Sequence, residues 1–156
     1  MSASRVLFEH PDVRAMAVDR VIATAWRRAP RVDVIEALEA HVKTFHDEHA
    51  DGAVLVILPA REAPDEAARR ALQAFLERMA PSLLGAAVVL ALGGVKGAIL
   101  RGVAAGVVAA MRLPLPIKLM GSTRDAAAYA VEVLGRSSRP PLVADIEKML
   151  RDAEAP

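Results

Sequence analysis

The stretches VLVIL (Val54–Leu58), AAVVLAL (Ala86–Leu92) and IKLM (Ile117–Met120) decide the fold of this 156-residue chain. Each is a short apolar run, and segments long enough for amphipathic helices separate them. A parallel pair of strands needs a crossover connection, which is usually a helix, so this alternation is typical of a mainly parallel sheet. The sequence therefore predicts an α/β protein in which these three strands lie side by side.

The two ends of the chain complete the predicted architecture. Residues 5–26 contain two or three further β segments, so we expect a mixed, mainly parallel sheet of four to five strands flanked by helices. RSSRPP, at 136–141, has the composition of a linker, and 142–156 has the apolar spacing of a short amphipathic helix. The expected organisation is one α/β domain over 1–135, a linker over 136–141 and a C-terminal helical extension over 142–156.

Polar residues mark where some helices begin. Asp33 is the expected N-cap of a helix over about residues 34–50, and Ser122 or Thr123 is the expected N-cap of a helix over 124–134. Both assignments depend on a short polar side chain that accepts a hydrogen bond from a free backbone N–H of the first turn.

The segment 83–111 carries only two charges, Lys96 and Arg101, but it is not expected to span a membrane. Gly93 and Gly94 divide it, and each cation near the centre of a bilayer would cost roughly 2.5–3.5 kcal/mol. A strand followed by a helix that is buried, or that also contacts a partner, explains the same residues.

The overall composition excludes several classes of function. The net charge is +1, from 20 basic and 19 acidic residues, which gives no strong attraction to nucleic acid or to anionic membranes. Aromatic residues make up 3% of the chain, too few for a platform that stacks bases. Cysteine is absent, so disulfides and thiol chemistry are excluded, and a cytoplasmic location is expected.

The segment from Arg61 to Arg70 is the candidate partner-binding surface. It begins where the central strand Val54–Leu58 ends, and ligands and partners of open α/β sheets usually bind at that edge. The candidate residues are Arg61, Glu62, Asp65, Glu66, Arg69 and Arg70. Because no nucleophile and base stand together here or elsewhere, no catalytic residue is predicted and the protein is not expected to be an enzyme.

The segment GGVKG (Gly93–Gly97) is the candidate ligand-binding surface, since it follows a strand and opens a helix. Backbone N–H groups at such a place can hold an anion, and Lys96 and Arg101 add positive charge. The segment matches neither the Walker loop nor the dinucleotide-binding pattern, so a plain turn is the favoured interpretation. The candidate residues are Gly93, Gly94, Lys96 and Arg101.

No metal or cofactor is expected. His41, His46 and His49 share one predicted helix, but the zinc-binding helix pattern places two histidines four residues apart with a glutamate between them. The spacing here differs, which favours polar residues at a solvated helix end.

Three segments carry a resemblance to STAS domains, the family of anti-sigma-factor antagonists, and most of all to divergent bacterial STAS-like standalone proteins. They are LVILPAREAP (55–64), ALGGVKGAILRGVAAG (91–106) and IKLMGSTRDAAAYAVEVLG (117–135). The resemblance implies a small sheet flanked by helices and a signalling role through protein–protein interaction. STAS domains often carry a phosphorylated Ser or Thr at the start of the second helix. Residues 60–65 contain no hydroxyl, and Asp65 and Glu66 supply permanent negative charge there.

The expected function is therefore that of a cytoplasmic, non-enzymatic regulatory or scaffold module. Its partner would be another protein, with a dimer of this chain as one case, and neither nucleic acid nor a membrane. The alternative is a small-ligand binding protein that holds an acyl or anionic compound near Gly93–Arg101.

Overall fold

The computed structural model of this chain describes residues 2–91, 93–135 and 141–156, with only the backbone described at some positions of the third helix. It has six strands: β1 (Arg5–His10), β2 (Val13–Val18), β3 (Val21–Trp26), β4 (Ala53–Leu58), β5 (Leu83–Val89) and β6 (Ile117–Met120). Its helices are α1 (Val32–Glu48), α2 (Glu66–Met79), α3 (Gly94–Met111), α4 (Thr123–Leu134) and α5 (Val143–Glu154).

All six strands form one sheet, in the order in which they occur along the chain. β1, β2 and β3 are antiparallel neighbours, and β3, β4, β5 and β6 are parallel neighbours. The predicted α/β class and the mixed, mainly parallel sheet are therefore confirmed. The sheet has one strand more than the expected maximum, because residues 5–26 form three strands.

The two faces of the sheet are covered by different helices. Along β3, Ile22 and Trp26 belong to the core that α1 and α2 cover, whereas Val21, Ala23 and Ala25 belong to the core that α4 and α5 cover. This alternation follows from the two-residue period of a strand. We call the two sides the α1–α2 face and the α4–α5 face.

The α4–α5 face is closely packed because small side chains line it. Ala126, Ala127 and Ala130 of α4 are completely buried against the sheet. Gly85 of β5 shows the same close approach: a Cβ atom there would lie 2.5 Å from the hydroxyl oxygen of Tyr129 on α4. Only a glycine leaves room for that ring.

The C-terminal helix packs onto this face. Ile146, Met149, Leu150 and Ala153 are buried in the same core as the strands. Two arginines hold its end: Arg14 Nη1 donates to the carbonyl oxygen of Asp152 at 2.9 Å, and Arg27 Nη2 donates to that of Ala155 at 2.9 Å. The expected linker falls largely on residues 136–140, which lie outside the described residues.

The predicted helix starts are partly confirmed. Ser122 is the N-cap of α4, and its Oγ accepts a hydrogen bond from the backbone N–H of Asp125 at 3.1 Å. The prediction for Asp33 is wrong, because α1 begins at Val32, two residues before the expected start, and Arg31 occupies its N-cap position. Arg31 forms an ion pair with the buried carboxylate of Asp12 at 3.2 Å, a contact from a distant turn.

Helix α3 is more exposed than expected. Val95 is 77% exposed and Ile99 is 62% exposed, while Gly97 is buried. A fully buried helix is therefore contradicted at these side chains, and the expected alternative, a helix that also contacts a partner, stays a prediction. This helix carries apolar side chains on every side. When one side packs against the protein, apolar side chains on the other sides remain exposed to solvent. In the part of the chain described, no helix has the length and hydropathy needed to cross a bilayer.

Candidate functional site

A cavity of about 510 Å³ lies on the α1–α2 face, at the carboxyl ends of the parallel strands. Strands β3, β4 and β5 form its floor through Thr24, Ile57 and Val88. Helix α2 forms one wall, α1 contributes Leu38 and α3 contributes Val108. The lining is mostly apolar and the volume falls in the range of small-molecule sites, about 300–1,000 Å³.

The segment that lines the mouth of the cavity is positioned by residues close to it in the sequence. Pro59 follows β4, and the residues from Pro59 to Pro64 line the mouth. Asp65 then caps α2, since its Oδ1 accepts a hydrogen bond from the backbone N–H of Ala68 at 2.8 Å. A proline that cannot extend the strand and a cap that fixes the helix start thus place this segment over the strand ends.

The floor of the cavity contains one hydroxyl group, that of Thr24. The residue is 2% exposed, and no protein group within the described ranges forms a hydrogen bond with its side chain. Its neighbours on the same face, Ile22 and Trp26, are apolar core residues. Because Thr24 lines the cavity, its hydroxyl can form a hydrogen bond with a polar atom of a compound that enters.

Charged side chains stand at the mouth of the cavity. Arg61, Glu62 and Arg69 line it and are exposed. Within the ranges that the structure describes, none of the three is in an ion pair. Two cations and one anion give this rim a formal charge of +1.

The structure separates the six predicted partner-binding residues into two groups. Arg61, Glu62 and Arg69 line the cavity. Asp65 is engaged as the N-cap of α2, and Glu66 forms an ion pair with Arg70 one helical turn away. All six side chains are exposed, three of them line the cavity, and their role in binding a partner stays a prediction.

Three of the predicted ligand-binding residues, Gly93, Gly94 and Lys96, do not line this cavity. Gly93, Gly94 and Lys96 are exposed at the start of α3. Gly94 has a φ of +73°, a left-handed conformation that favours glycine, which supports the turn interpretation of this segment. The side chain of Arg101 lies outside the described residues.

Sequence reasoning missed the residues of the cavity floor. Thr24 lies in the strand VIATAW (Val21–Trp26), which has no charge and is buried throughout. A single hydroxyl among apolar residues was the available signal. It could not be read as a site from the sequence, because the residues that surround it belong to other elements.

The histidines of α1 lie in different surroundings. His49 Nδ1 lies 2.8 Å from the carbonyl oxygen of Phe45, and His46 is buried with neither ring nitrogen hydrogen-bonded to a described group. Burial lowers the pKa of His46, since the charged imidazolium would lose its hydration. No cluster of three or more metal-ligating side chains occurs among the residues described.

The chain was compared with protein-family models, with curated proteins and with solved structures, and none of them matched it. The likeness to STAS domains therefore stays a prediction from the sequence.

Proposed function

We propose that this protein is a non-enzymatic binding module that takes a small, largely apolar compound into the cavity of the α1–α2 face. The observation that carries the proposal is the cavity itself. It has the volume of a small-molecule site, it is lined mainly by apolar side chains, and it lies at the strand edge where open α/β sheets bind ligands.

The chemistry of the lining supports binding rather than catalysis. Among the described residues that line the cavity, Thr24 alone carries a hydroxyl, and no described base is hydrogen-bonded to it. A hydroxyl nucleophile needs an adjacent base to become reactive. The polar groups of the lining are therefore suited to orienting a ligand and not to attacking it.

The chain contains its own reporter for this proposal. Trp26 is the single tryptophan and it lines the cavity, so a compound that enters should change the tryptophan emission. We expect the neutral apolar probe N-phenyl-1-naphthylamine to quench or shift this emission in a saturable titration. Native mass spectrometry of the protein purified from its own cell should also show a retained small molecule.

A matched pair of variants tests whether the cavity is the site. Val88→Phe places a ring in the cavity, whereas Leu84→Phe places one on the same strand at an exposed position outside it. Val88→Phe should abolish the titration and Leu84→Phe should leave it unchanged. Equal probe binding by both folded variants would overturn the proposal.

A second candidate function is a regulatory or scaffold module that contacts a protein partner through Arg61–Arg70, as the STAS-like sequence implies. The observation that favours it is the exposure of this segment, in which Arg61 and Arg69 have no described ion-pair partner and can meet carboxylates of another protein. Arg70 distinguishes the two candidate functions, because it belongs to the segment Arg61–Arg70 but does not line the cavity.

Charge reversal separates these candidates. Arg70→Glu should weaken recovery of a specific partner, or of a dimer in light scattering, if the segment is a protein interface. The same variant should leave probe binding in the cavity unchanged. A partner that is recovered equally by the wild type and by Arg70→Glu would count against the interface.

A further inference from the structure

We infer that the compound held in the cavity is a single-chain amphiphile with a carboxylate head, bound by the Arg69 guanidinium and the Thr24 hydroxyl. This inference rests on the proposed function of the cavity and adds the chemical class of its ligand.

The charge of the rim indicates the sign of the head group. Arg61 and Arg69 each supply a guanidinium, and Glu62 supplies one carboxylate. A net charge of +1 complements a monoanion. An arginine without a described ion-pair partner can offer two parallel N–H donors to the two oxygens of a carboxylate.

Thr24 supplies a hydroxyl on the cavity floor that can hold the head group from the inside. Thr24 is nine-tenths buried, lines the cavity and has no hydrogen-bond partner among the residues described. A carboxylate can accept from this hydroxyl and from Arg69 together, because each oxygen accepts more than one hydrogen bond. Arginine has the long, flexible stem that such a reach requires.

The remaining lining accommodates the apolar part of the compound. Leu72 and Phe75 of α2, Val108 of α3 and Ile117 of β6 supply a continuous apolar wall. A single hydrocarbon chain buried there would contribute about 0.8 kcal/mol per buried CH₂ by its transfer from water. Trp26 also lines the cavity, and its indole N–H can donate one hydrogen bond to the ligand.

Three ten-carbon probes of equal chain length test the head group: decanoate, decanol and decyltrimethylammonium. Titrations below the micelle concentration, read by the emission of Trp26, should give decanoate an affinity at least about tenfold higher than that of decanol, since hydrogen bonds to charged groups are the strong ones. Decyltrimethylammonium should bind more weakly than decanol.

Variants assign the contacts. Arg69→Gln should remove most of the preference for decanoate over decanol, and Thr24→Val, which keeps the shape of the side chain, should weaken decanoate several-fold. Arg70→Gln is the matched control, because Arg70 is the next residue of α2, pairs with Glu66 and does not line the cavity. It should behave as the wild type.

The outcomes separate the two proposals. If none of the three probes binds and no other apolar probe enters the cavity, the proposed function itself fails. If the probes bind with equal affinity, or if Arg69→Gln and Thr24→Val keep the preference for decanoate, the cavity binds ligands but the carboxylate assignment is overturned.

Discussion

The two faces of the sheet use the same strands and reach different results. On the α4–α5 face, alanines such as Ala126 and Ala130 and the glycine at position 85 let the helices lie close to the strands. On the α1–α2 face, large side chains such as Phe45 and Phe75 fill the core, but at the carboxyl ends of the strands a cavity remains. The difference teaches that both faces bury a core, and that the core of the α1–α2 face also leaves an open cavity beside the strand ends.

The largest expected contrast comes from removing a leucine on each face. Leu150→Ala empties a completely buried site on the α4–α5 face and should lower the free energy of unfolding by about 2–5 kcal/mol. Leu72→Ala removes a half-buried side chain that already borders the cavity, and it should cost less than about 2 kcal/mol. Urea denaturation measures both, and equal losses would contradict the contrast between the faces.

Enlarging a side chain should also be tolerated less well on the α4–α5 face than beside the cavity. Ala127→Leu has no space to occupy and should destabilise the protein by about 1–3 kcal/mol. Val88→Phe extends into the cavity, and its free energy of unfolding should stay within about 0.5 kcal/mol of the wild type. If thermal melts show that Val88→Phe costs as much as Ala127→Leu, the cavity is not open space in solution.

The two side-chain N-caps lie on opposite faces and sharpen the comparison further. Asp65→Ala and Ser122→Ala each remove one cap and should each cost about 1 kcal/mol in the free energy of unfolding. Only Asp65 fixes the helix start beside the cavity mouth. Asp65→Ala should therefore also weaken binding of N-phenyl-1-naphthylamine, and a similar loss of binding in Ser122→Ala would argue against a local role for the mouth.

The smallest expected effect is a loss of folding stability at acidic pH, and it arises from a histidine of α1. Burial lowers the pKa of His46 in the folded protein, so between the folded and unfolded pKa values the unfolded chain binds more protons. The stabilising contribution is thus present above about pH 6.5, the ordinary histidine value, and is lost as the pH falls below it. His46→Leu should flatten the stability profile between about pH 7 and about pH 5.5.

The exposed residue His41 provides the control for this experiment. His41→Leu should keep the slope of the wild type over the same pH range. A slope that persists in His46→Leu would assign the acid sensitivity to another group.

The sequence was most informative where structure is local. The apolar run at 54–58 became β4, and the helix spacing of Ile35, Leu38 and Val42 put these side chains in the core. The N-cap at Ser122 was also readable, because a cap is a contact between residues three positions apart. The cap of α1 was not readable, since Arg31 pairs with Asp12 from a distant turn.

Only part of the candidate site could be predicted from the sequence. Arg61, Glu62 and Arg69 were identified by their place after a central strand, and that place does border the cavity. The exposure of α3 could not be foreseen, because a helix that is apolar on every side gives no period that assigns its buried face.

The sequence by itself determined which segments form strands and which form helices, and therefore the layers of this protein. The reason is that the spacing of apolar residues in each segment is a property of neighbouring residues. The tertiary structure alone decided that the layers fail to close over the carboxyl ends of the strands. Whether Thr24 of β3, Leu38 of α1 and Leu72 of α2 meet depends on the distance between elements that are far apart in the chain. That distance is fixed by the packing of the whole core, which no local pattern records.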